Sequence, residues 1–153
     1  MTAIVWDKAA VVPILKQHGV YFCRVKPKRG LVKEVKTGLN RRELLGNCFG
    51  NCLHLVQKYP DMFWYCEGFA AGPTPHAWLS LKENVDVDWA VDITWPWRSK
   101  HYKKPVDKLT YFGLKFDARD VVAVLKARKL NRGIKSSASM LKHPEDITHL
   151  LTR

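Results

Sequence analysis

Two runs rich in β-formers, 75–82 and 87–95, constrain this chain more than any other stretch, because in each the chemically distinctive side chains fall on one parity. His76, Trp78 and Ser80 share one face of the first run; Asp88, Ala90, Asp92 and Thr94 share one face of the second. A hairpin centred on Asn84 would set 76 opposite 92, making His76 and Asp92 direct cross-strand neighbours. Opposed Cβ atoms in such a pair lie roughly 5 Å apart, so an imidazole N–H reaches a carboxylate. Residues 62–70 and 109–116 read as two more strands, the first leading into the turn Gly72-Pro73-Thr74-Pro75.

Helical signals precede this β-rich stretch. Asn40-Arg41-Arg42-Glu43 reads as a capping box opening a short helix that Gly46 closes. Asn47 then caps a second helix running toward Lys58, which Pro60 cannot continue. Cys48 falls on the first turn of that helix. Unpaired backbone N–H groups and the positive end of the helix dipole favour a thiolate there, and the same N–H groups suit the oxyanion formed when a thiolate attacks a carbonyl. Cys48, His76 and Asp92 are thus the three residue types of a thiol-nucleophile site: nucleophile, base, and the group that orients the base. Asn47 is the first side-chain candidate to receive the oxyanion and Asn51 the second; Trp78 and Trp95 read as core or cleft wall, and Trp78, beside His76, joins the two amides as a substrate-binding candidate.

The strings Cys48-Phe49-Gly50-Asn51, Tyr65-Cys66-Glu67-Gly68-Phe69-Ala70, His76-Ala77-Trp78, Val91-Asp92-Ile93-Thr94-Trp95 and Tyr111-Phe112-Gly113 resemble the transglutaminase-like branch of the papain-like cysteine-enzyme superfamily, in particular its small bacterial and phage members. The resemblance covers roughly residues 44–115. It implies an α+β fold in which the nucleophile helix packs on an antiparallel sheet built from 62–70, 75–82, 87–95 and 109–116, with the basic C-terminal helix outside the core. It also implies peptidase, amidase, deamidase or cross-linking chemistry without choosing among them. Two departures stand out: Cys52 where a small residue such as Ala is expected, and a short Cys–His separation that trims the loops around a cleft.

The remaining elements read coarsely. Asp7 to Lys16 suits a helix bent by Pro13, Gly19 to Val25 and Leu31 to Val35 suit strands around a Pro-Lys-Arg-Gly turn, Asp117 caps a helix to about Lys129, and His143-Pro144-Glu145-Asp146 starts a short last helix.

Cys23, Cys52 and Cys66 read as small buried hydrophobes, and His18, His54, His101, His143 and His149 as surface or satisfied core residues. Zinc is the chemical rival, since Cys48 and Cys52 are spaced i, i+4, Cys66 is near in sequence, and His76 completes a four-ligand set. Structural zinc sites, however, bring Cys pairs two to four residues apart from turns, and a second such pair is missing. The reading is therefore no metal and no cofactor. Met1 to Trp6 is too short for a secretory leader and Asp7-Lys8 interrupts it, and no apolar run approaches the ~20 residues of a membrane span. The expectation is a cytoplasmic protein with reduced thiols.

At 153 residues and 46% hydrophobic, the chain suits one domain spanning 1–153. Its formal charge of +12 is unevenly placed. Residues 43–95 hold two lysines against seven acidic residues, residues 8–42 ten Lys/Arg against one acid, and residues 96–135 twelve against three. Three basic clusters, 24–29, 98–104 and 126–132, would attract nucleic acid, an acidic protein or an anionic cell-wall polymer, and Tyr102, Trp95 and Trp97 interleave the middle one. The leading expectation is a cysteine amide hydrolase or acyltransferase acting on a protein or peptide through Cys48, His76 and Asp92. The alternative is a non-catalytic basic binding protein for nucleic acid or an acidic protein on the same fold.

Overall fold

A computed structural model of the chain describes residues 4–25, 47–70, 72, 74–83, 86–94, 110–132 and 138–152. In chain order the elements are α1 (Lys8–His18), β1 (Val20–Val25), α2 (Cys48–Lys58), β2 (Phe63–Ala70), β3 (Thr74–Leu81), β4 (Trp89–Val91), β5 (Tyr111–Phe116), α3 (Ala118–Arg132), a 3-10 turn (Pro144–Asp146) and α4 (Thr148–Leu151). The segment 31–35 and the short helix opened by Asn40 lie outside the described residues.

The five strands close into a barrel in the order β1-β4-β3-β2-β5. This overturns the expected papain-like arrangement of a nucleophile helix on an antiparallel sheet. Strand β1 is responsible, because it pairs parallel with β4 on one side and antiparallel with β5 on the other, joining two strands that would otherwise be sheet edges. Closure removes the edges that an open sheet must leave unpaired.

Small residues make so narrow a barrel possible. Each strand contributes to one enclosed cluster: Phe22 from β1, Cys66 and Ala70 from β2, Trp78 from β3, Ala90 from β4 and Tyr111 from β5. Trp78 fills the middle, meeting Phe22 and Tyr111 with ring centroids 5.1 Å away in each case. Gly68 and Gly113 face each other across β2 and β5. A Cβ on Gly113 would sit 2.8 Å from Trp78 Cη2 and run into the Glu67 carbonyl; one on Gly68 would run into the Phe112 carbonyl. Glycine at both positions lets the two backbones approach around the indole.

The opposite parity of the strands faces the helices. Tyr65, Ala77, Leu79, Val91, Leu114 and Phe116 pack with Val11 and Leu15 of α1, Cys52, Leu55 and Val56 of α2, and Val121 and Val124 of α3. Helix α3 is therefore part of the core, not outside it as the resemblance implies. Its Arg128 is buried, donating to the Ser139 and Met140 carbonyls at 2.6 and 2.9 Å and pairing with Asp146 at 2.7 Å. Glu67 holds the same C-terminal segment from the barrel side: its carboxylate accepts from the Met140 and Leu141 amides and from the Tyr65 and Ser139 hydroxyls.

Candidate active site

Asn47 starts α2 as expected, its Oδ1 accepting from the Gly50 amide at 3.1 Å. Gly50 makes this possible, since a Cβ there would lie 2.5 Å from that oxygen. The cap leaves the Asn47 Nδ2 donor on the turn that carries Cys48. Cys48 is the first residue of the helix and 5% exposed. One turn on, the buried Asn51 donates through Nδ2 to Thr94 Oγ1 at 3.2 Å, tying the helix to the chain just beyond β4. Asn51 thus joins the Cys48 helix to the segment that carries Asp92.

His76 lies on β3 and Asp92 one residue past the end of β4. The hairpin register differs from the expected one. Leu79 pairs with Val91, so partner numbers sum to 170 instead of 168, and His76 and Asp92 are diagonal, not opposed. A slip of two preserves parity, so both side chains keep the same face, whereas a slip of one would have separated them. Strand β4 is only three residues long and pairs with β1 along its other edge, so the β3 register is not the sole constraint on it. His76 Nε2 still meets Asp92 Oδ2 at 2.7 Å, with both side chains fully buried.

The carboxylate is held on both oxygens. Oδ1 accepts from the Thr94 amide at 3.0 Å, and Oδ2 accepts from the Tyr111 hydroxyl at 2.8 Å beside its contact with the imidazole. In the sequence, Tyr111 stands out only as part of a strand string. Parity on β5 was the signal that could have found it, because Tyr111 stands opposite Ala70, on the face that carries Gly68, the partner of His76. Burial, then the Asp92 charge and hydrogen bond, push the Tyr111 hydroxyl far up against a smaller opposing influence of Arg24, so it is a permanent donor.

Cys48 completes the line. Its sulfur is among the groups that raise the His76 pKa, while Nε2 of the ring is held by Asp92. Burial works to lower the His76 pKa, but the Asp92 charge and the sulfur of Cys48, with their hydrogen bonds, outweigh it and raise the value to about 10. The ring is therefore an imidazolium at neutral pH. Trp78, expected as core or cleft wall, lies stacked near it at 6.4 Å and is fully buried inside the barrel.

The other thiols separate cleanly. Cys52 and Cys66 are buried, and burial drives both thiols well up, reinforced in Cys52 by Cys48 and Asp92. Cys23 is exposed on the outer face of β1, not buried as its residue type implied. Among the described residues no group of three or more His, Cys, Asp and Glu side chains is arranged to hold a metal ion, and no helix is long and apolar enough to cross a membrane. Comparison with family models, curated proteins and solved structures finds no match to this chain.

Proposed function

We propose that the protein is a thiol amide hydrolase or acyltransferase that works through Cys48, His76 and Asp92. The observation that carries this reading is a buried imidazole gripped at 2.7 Å by a doubly held carboxylate, with a thiol at a helix start among the groups that raise its pKa. An imidazolium beside the sulfur favours a thiolate, and the helix start supplies N–H groups for an oxyanion. Cys48 attacks a carboxamide or peptide carbonyl, and the carbonyl π pair moves to oxygen. Collapse breaks the C–N bond, and the leaving amine takes a proton from His76. Water or an amine then resolves the thioester, giving hydrolysis or transfer. The Cys, His, Asp order is also that of transglutaminase-like enzymes, so the resemblance is proposed for the chemistry alone.

A panel of peptide amides and activated esters, with Cys48→Ala and Asp92→Asn beside wild type, tests this. Turnover should vanish in the first and fall on the order of 10³–10⁴-fold in the second, because an amide can hold the wrong tautomer of His76. Retained turnover in Cys48→Ala would remove the thiol from the mechanism.

A secondary reading concerns partners. We propose that basic side chains outside the site capture an acidic or polyanionic partner, a role supported by Lys126 and Lys129, which are exposed on α3. The clusters 98–104 and, beyond Val25, 24–29 lie outside the described residues. All four cysteines are free, which fits work in a reducing compartment such as the cytoplasm.

A further inference from the structure

The Tyr111 hydroxyl is a donor the thiol chemistry does not require, yet it is buried and aimed at the oxygen that His76 uses. It deepens the reading above and rests on it. We infer that Tyr111 is a positioning residue that keeps the His76 proton transferable, by taking a share of the Asp92 charge that would otherwise bind that proton too tightly.

Asp92 Oδ2 is shared by two donors, His76 Nε2 at 2.7 Å and the Tyr111 hydroxyl at 2.8 Å. Each donor to a carboxylate disperses its negative charge and weakens its pull on the others. A buried His–Asp pair beside a thiol has the opposite difficulty, a ring so well stabilised as imidazolium that it returns its proton reluctantly. General acid catalysis works best with a pKa near the working pH, so a donor that relieves the ring speeds protonation of the leaving amine. Tyr111 is suited to this because burial and the neighbouring carboxylate keep its own proton in place. Its ring also lies in the barrel, 5.1 Å from Trp78, so the hydroxyl's direction is fixed by packing.

Tyr111→Phe keeps the ring and removes the donor. The first readout needs no substrate: His76 is titrated by NMR in Cys48→Ala with and without Tyr111→Phe, the Ala background removing the sulfur and bringing the transition down. The His76 pKa should rise by about half a unit to one unit in the double variant. The second readout compares a p-nitroanilide, whose leaving amine needs a proton, with the matching p-nitrophenyl ester, whose leaving phenolate does not. In Tyr111→Phe the anilide-to-ester turnover ratio should fall on the order of tenfold. An unmoved His76 titration, or both substrates slowed by one common factor, would overturn the assignment and leave Tyr111 as packing. The two failures are distinct, because a wild-type protein that turns over neither substrate instead removes the enzyme reading beneath it.

Discussion

Asp92 is the residue on which the site's electrostatics turn, because its charge holds His76 as an imidazolium inside the barrel. The sign of the pH dependence follows. A folded-state pKa of about 10 against roughly 6.5 in the unfolded chain means the pair's contribution to stability is complete below pH ~6.5 and disappears as pH rises through about 10. The stability gap between wild type and Asp92→Asn, read by denaturant titration, should therefore be larger at pH 7 than above pH 10; a gap that does not shrink would mean the ring is neutral in the fold. Gly50 gives a second check: Gly50→Ala displaces the Asn47 cap and should cost about 1 kcal/mol in the same titration. Cys48, Asn47, His76 and Asp92 were legible in the sequence because capping chemistry and strand parity are local signals. Tyr111 and the exposure of Cys23 were not, since both depend on which strand lies beside which.

Closure of the sheet is decided at the level of elements. Strand parity and the helix bounds follow from side-chain period and caps, so the 62–70, 75–82 and 109–116 strands and the Cys48 helix were readable. The pairing of β1 with β4 and β5 was not, because nothing local distinguishes a strand that closes a barrel from one that pairs with its sequence neighbour. Gly68 and Gly113 hold the only hint, and it becomes meaningful once Trp78 is known to lie between them. Gly113→Ala should overpack the barrel and cost about 1–3 kcal/mol, while Trp78→Ala should cost about 3–5 kcal/mol by emptying it. If Gly113→Ala is neutral by thermal or chemical unfolding, the close approach of β2 and β5 is not what shapes the barrel. Glu67 locks barrel to C-terminal segment in the same way. Glu67→Gln sets an amide N–H₂ against N–H donors and should destabilise by about 1–3 kcal/mol.

For the whole molecule, the net charge of +12 is a poor guide until each cation is placed. Arg128 and Lys129 adjoin in one basic cluster, yet only Lys129 faces solvent while Arg128 clamps three backbone carbonyls. Replacing Lys126 and Lys129 with Gln should change stability by less than ~0.5 kcal/mol and lessen the salt dependence of binding to an acidic protein or nucleic acid. Replacing Arg128 should cost about 3–5 kcal/mol, since it strands Asp146 and the carbonyls. Binding that ignores salt in wild type would return these lysines to a role in solubility. On the proposed mechanism, one thiol of four is activated by the buried His76 imidazole. Limiting iodoacetamide at pH 7, followed by peptide mass spectrometry on the folded protein with Cys23→Ser as the background, measures it directly. Cys48 should be alkylated well ahead of Cys52 and Cys66, and His76→Ala should abolish the preference. Equal labelling of the three thiols, or a Cys48 preference that survives His76→Ala, would contradict it.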